Sequence, residues 1–143
     1  MRKIMMVPLV LVAGGLLAGG SAVAASSTPK TVTVHMKGSL EVPKGSPTGT
    51  GVFKYQLIPS KKKVCYSLTW SKIGTALASH IHKGAKGKSG PVVIPLSPAT
   101  PVKHRGCVTA KKSLILAIQA HPGRYYVNVH TAKYPAGAIR GQL

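Results

Sequence analysis

The sequence predicts an all-β fold: a Greek-key sandwich or barrel of about seven strands, with one short helix near residues 109–120. Three observations predict it. Apolar and polar residues alternate one for one in several segments, as in Thr31-Val32-Thr33-Val34-His35-Met36-Lys37. Sixteen glycines and eleven prolines punctuate the chain into short pieces. Only one stretch carries the spacing of an amphipathic helix.

The first residues stand apart from the rest. Arg2 and Lys3 precede an apolar run from Ile4 to Ala18, and small residues lead to Ala22-Val23-Ala24, an A-x-A cleavage pattern. Residues 1–24 are therefore expected to be a secretory signal peptide. A short tail over 25–30 and a single β domain over 31–143 follow, a length that suits one core and not two.

Within the domain, Thr31 to Lys37 is a strand, and His35 shares its solvent face with threonines. Gly38 to Gly49 is a loop containing Leu40-Glu41-Val42-Pro43. Val52–Ile58 and Val64–Trp70 flank a Pro-Ser-Lys-Lys-Lys turn and read as a hairpin. Ala76–His82 is a fourth strand, and the basic glycine-rich segment Lys83–Gly90 is a loop. Pro91–Leu96 is a short apolar strand whose prolines place it near a sheet edge.

Thr109 to Ala120 reads as the helix. Thr109 would cap it, Leu114, Ile115, Ala117 and Ile118 form its apolar face, and His121-Pro122-Gly123 stops it. Arg124–His130 and Ala138–Leu143 are the last two strands.

Charge narrows the partners. Twenty Lys and Arg face a single acid, for a net charge of +19. Such a chain is drawn to polyanions: lipid headgroups, anionic wall polymers or, in vitro, nucleic acid without sequence preference. Lys61, Lys62 and Lys63 in one turn, and Lys83, Lys86 and Lys88 in the glycine-rich loop, are the candidate anion contacts. The same composition removes reaction classes. There is no pair of carboxylates for acid–base catalysis, and no Asp for a Ser-His-Asp triad. A binding role is expected ahead of an enzymatic one.

Cys65 and Cys107 are expected to form one disulfide, because an exported chain meets an oxidising compartment. Glu41, the only acid, is expected to pair with Arg140.

The strongest chemical signal is a dyad, His80-Ile81-His82. Residues two apart on a strand share a face, so the imidazoles project together while Ile81 points to the core. Asn128-Val129-His130 repeats the pattern with the same sense. If the two strands are neighbours, three imidazoles converge on a face turned from the core, as a metal site requires. His80, His82 and His130 are the candidate ligands, His121 and His35 further candidates for a fourth position, and Asn128 a group orienting a ligand or bound water. Copper is favoured and zinc comes second, since imidazole suits both and copper tops the affinity order.

Several motifs in order carry a resemblance: Leu40-Glu41-Val42-Pro43, Thr48-Gly49-Thr50-Gly51, Ala78-Ser79-His80-Ile81-His82-Lys83-Gly84, Gly90-Pro91-Val92-Val93, Pro122-Gly123-Arg124-Tyr125-Tyr126-Val127-Asn128-Val129-His130-Thr131, and Pro135-Ala136-Gly137-Ala138-Ile139-Arg140-Gly141-Gln142-Leu143. Together they resemble the CHRD domain over about residues 32–143. The resemblance implies a secreted β-rich module; in chordin the domain belongs to a secreted growth-factor antagonist. Ala138 departs from the Glu that commonly precedes Ile-Arg-Gly. A looser likeness runs to copper–zinc superoxide dismutases, which also carry His-x-His on a barrel strand. It implies copper on His80, His82 and His130 and, in its strongest form, redox chemistry, but that family's zinc half-site would need an Asp this chain lacks.

Two functions therefore compete: a secreted metal-binding module, and an envelope or matrix protein held on anionic surfaces by its lysines.

Overall fold

The computed structural model describes residues 28–143. The expected signal peptide lies outside the described residues, as do 25–27 of the tail.

Eight strands form one antiparallel sheet. They are β1 (Thr31–Lys37), β2 (Thr50–Ile58), β3 (Lys63–Ser71), β4 (Ala76–Lys83), β5 (Val92–Ser97), β6 (Arg105–Thr109), β7 (Tyr125–Thr131) and β8 (Ile139–Gln142). The order β5-β4-β7-β8-β1-β2-β3-β6 curls into a nearly closed barrel. β5 and β6 face one another across the seam without forming a ladder. Inside, the Tyr66 hydroxyl of β3 spans this gap, donating to the Leu96 carbonyl of β5 at 3.0 Å.

Period-two alternation supplies the core. Val34 and Met36, Phe53 and Tyr55, Val64 and Leu68, Ile81, Val127 and Val129 all point inward and are buried. Helix α1 (Lys112–Ala120) adds Ile115 and Ile118 to the same core. Burying each such side chain stabilises by about 1.5–3 kcal/mol before the ordering cost.

Two expectations from the sequence are corrected here. The helix starts at Lys112, and Lys111 occupies its N-cap position with no side-chain cap. Thr109 ends strand β6 instead, and its hydroxyl accepts a 2.7 Å bond from Lys63 Nζ. β6 itself was unforeseen, which makes eight strands rather than about seven. It is only five residues long and contains a glycine, so its alternation is faint. Its place is fixed from outside: Cys107 lies directly opposite Cys65 of β3, and the two are disulfide-bonded.

The outer face of β7 and β8 is not solvated as strand alternation alone implies. Two loops fold over it. The 38–49 loop is pinned by Ser46 N–H to Ala138 O at 2.8 Å. The 84–91 loop is held by Arg140, whose guanidinium donates to Lys88 O at 2.8 Å and Ala85 O at 2.9 Å. Every residue of β7 except His130 is buried. A small polar core thus lies outside the sheet, opposite the apolar one.

Candidate metal centre

β4 and β7 are neighbours, and their register sets the site. His80 lies opposite Asn128, His82 opposite Tyr126 and Ala78 opposite His130. His80 and His130 are therefore diagonal neighbours on one face, close enough for large side chains to meet. Their ring centroids are 5.0 Å apart; His80–His82 is 5.7 Å and His82–His130 6.0 Å. One ring nitrogen from each of the three lies within 4.8 Å of the other two. Rotation of the rings would bring them onto one ion at the usual nitrogen–metal distance of about 2 Å.

Hydrogen bonds decide which nitrogen each ring offers. His82 Nδ1 is 2.9 Å from the Gly90 carbonyl, and His130 Nδ1 is 2.9 Å from the Pro135 carbonyl. A carbonyl only accepts, so both Nδ1 atoms carry the proton and both Nε2 atoms present a lone pair. Those two Nε2 atoms, and His80 Nδ1, are buried without a partner. Three unpartnered nitrogens on three converging rings are a costly arrangement for a core and the expected one for a cation site. Backbone carbonyls orienting ligand imidazoles are the usual second layer of such a site.

Burial favours the neutral form of His80 and His82, as coordination needs. Desolvation first, then His130 and His82, pushes His80 from 6.5 down to about 4. Desolvation also lowers His82, against the raising effect of the Gly90 carbonyl.

The surroundings hold a second layer of polar groups. Tyr126 stacks on His82 at 4.8 Å with an interplanar angle of 8°, and the Arg140 guanidinium lies over the Tyr126 ring, 3.4 Å from its centroid. Asn128 stands alongside both His82 and Glu41 and influences the ionisation of each. Its Oδ1, like Glu41 Oε1, is buried and unpartnered.

Glu41 and Arg140 are 4% and 2% exposed, but the direct ion pair expected between them is not the arrangement found. Arg140 donates to Lys88 O, Ala85 O and Gln142 Oε1. Its charge still reaches Glu41, without outweighing the desolvation that raises the carboxyl to about 7.

His35 and His121 stand apart from the cluster. His35 is exposed on β1 opposite Val52, and His121 is exposed at the end of α1. The lysines Lys61, Lys62, Lys83, Lys86 and Lys88 are exposed, and Lys63 is half-buried against Thr109. The sequence reading missed Tyr126 and Arg140 as neighbours of the site. Tyr126 was within reach, since it shares the face of Asn128 and His130. The Gly90 and Pro135 carbonyls were not, because their positions depend on how two loops fold back.

In comparisons with known proteins, the family model described as the CHRD domain matches residues 32–143. No curated protein and no solved structure matches the chain.

Proposed function

We propose that this chain, which belongs to the CHRD domain family, is an exported metal-binding module that holds one ion on His80 Nδ1, His82 Nε2 and His130 Nε2. The carrying observation is that three rings converge and each carries a buried nitrogen with no partner, two of them with their proton fixed on the far side of the ring. Copper is the favoured occupant. An all-imidazole set suits it, and Cys65 and Cys107 are withdrawn from coordination by their disulfide. Zinc is the second choice. A bound ion would add a Lewis-acidic position outside the barrel; the chain's part is to orient the three rings and to favour the neutral form of His80 and His82. Export is supported by the disulfide, which persists in an oxidising compartment.

The test is metal content after dialysis. The purified chain should retain about one copper per chain, and His80→Ala, His82→Ala or His130→Ala should each lose it. Electron paramagnetic resonance of the copper-loaded chain should show nitrogen coupling. Retention no better than in a triple His→Ala variant would end this reading.

A second reading, compatible with the first, has its own observation. The sole acid is buried, so the exposed lysines of the 61–63 turn and the 83–88 loop have no internal carboxylate to meet. Attachment to anionic polymers or lipid headgroups follows. It should be strong at low salt and fall steeply as salt rises.

A further inference from the structure

Away from the metal centre, the outer face of β1, β2, β3 and β6 is laid out in rows. The register sets Thr33, Lys54, Ser67 and Arg105 side by side across the four strands. Toward the other end, Thr69 follows Ser67 along β3, and Lys37, Thr50 and Ser71 form a further row. Opposed side chains sit about 5 Å apart across strands, and successive rows about 7 Å apart along them. Hydroxyls and cations alternate along these two rows, and between them lies the row His35, Val52 and Thr69.

This face is also grooved. Separate shallow depressions run between Gln56 and Ser67, between Lys54 and Thr69, and between Lys37 and Ser71. No side-chain carboxylate opposes a ligand there, because the one acid, Glu41, is buried within the 38–49 loop.

We propose that this face binds a linear anionic polysaccharide, with acid groups on Lys54 and Arg105 and sugar hydroxyls on Thr33, Ser67 and Thr69. Hydroxyl side chains both donate and accept, which matches a sugar's hydroxyls. The cations are sparse. Lys54 and Arg105 are two strands apart, about 10 Å, with a neutral Ser67 between them. A polyphosphate, charged at every phosphorus, would leave most of its charge unmatched on such a grid. A sugar acid carries its charge once per ring, with hydroxyls between. Single-stranded nucleic acid calls for exposed aromatic platforms, but on these strands Phe53, Tyr55 and Tyr66 are buried inward, and the half-buried Trp70 is already stacked on His104 at 4.3 Å. The proposal rests on reading the positive charge as directed at polyanions, and it does not depend on the metal.

The test compares the full chain's affinity for a linear polyuronate, a neutral linear glucan and polyphosphate at about 0.15 M salt, where diffuse attraction is screened. The polyuronate should bind best. K54Q/R105Q should weaken it about tenfold or more, as loss of charge-assisted hydrogen bonds does. T33V/S67A keeps every charge and should weaken the polyuronate several-fold while leaving polyphosphate unchanged. Amide shifts of the unmutated chain on adding polyuronate should map to β1, β2, β3 and β6, which gives a readout free of any folding defect. If only neutralising Lys61, Lys62, Lys63, Lys83, Lys86 and Lys88 reduces binding, the chain is a polyanion binder but this face is not its site. Equal binding of polyphosphate, with the same dependence on both face variants, overturns the choice of polysaccharide.

Discussion

Gly137 packs directly against the Glu41 carboxyl. Its φ is +141°, and a Cβ built on it would overlap the carboxyl oxygens. Gly137→Ala should therefore destabilise the domain by about 3 kcal/mol, through backbone strain and overlap together. Denaturant titration measures it. A loss below half a kcal/mol would mean that the 38–49 loop simply moves aside.

Glu41 itself should show an unusual pH dependence. Its carboxyl titrates at about 7 in the fold, against 4.5 when free. Between those values the unfolded chain has released its proton and the folded chain has kept it. Stability therefore falls as pH rises from about 4.5 to about 7, by roughly 3 kcal/mol in all, and levels off above. Glu41→Gln should remove this slope and be neutral or stabilising at pH 8. A direct buried ion pair would give the opposite sign, a loss of about 3 kcal/mol. Unfolding of the metal-free chain at pH 5 and pH 8 separates the two outcomes.

His80 works in the other direction. In the fold it stays neutral down to about 4, whereas the unfolded chain takes up a proton near 6.5. Stability contributed by keeping it neutral is present above 6.5 and is lost as pH falls toward 4. Glu41 and His80 oppose each other over the shared window, and His82, also lowered by burial, adds to the acid-side loss, so the metal-free wild type should change less between pH 5 and 6 than Glu41→Gln does. Glu41→Gln should unmask the full acid loss, and adding His80→Gln should reduce it to the share of His82. A wild-type slope as steep as that of Glu41→Gln in that window would contradict the pairing.

The ring protons can be read directly. In the metal-free chain at neutral pH, long-range proton–nitrogen correlation spectra should show His82 and His130 protonated on Nδ1 and His80 on Nε2. A proton on Nε2 of His82 or His130 would block the lone pair on which the proposed coordination depends.

The disulfide closes a separation of 42 residues. Cys65→Ser with Cys107→Ser should cost about 4 kcal/mol in the chain-entropy model. Hydrogen exchange should quicken first in β6, which borders only β3 in the sheet. Uniform exchange along the barrel would show that β6 is held by its ladder alone.

What the sequence made legible follows from range. Strict alternation in β1 and in β7 is a local signal, and so is the His80-Ile81-His82 spacing. Those readings needed no tertiary knowledge, and the convergence of the imidazoles required only that β4 and β7 be adjacent. β6 was missed because five residues with a glycine in second place alternate too weakly to register, while their partner β3 lies some forty residues earlier. Thr109 looked like a helix cap because a threonine before an apolar repeat is the usual signal; a lysine contact across the sheet claimed it instead. The covered outer face was illegible for the same reason. Nothing near Asn128 in sequence announces that the 38–49 and 84–91 loops will close over it.

The unclosed seam has one further consequence. Its two borders are free strand edges, the feature through which β proteins add to one another and polymerise. Here each border is blunted. β5 carries Pro95, which has no N–H to offer, and its pairing with β4 shifts register twice. β6 is five residues long, begins with Arg105, and cannot swing out while its disulfide is intact. A domain crowded onto a surface by its charge would meet other copies of itself at high local density. The ragged, partly donor-less seam would let it do so without growing into a filament.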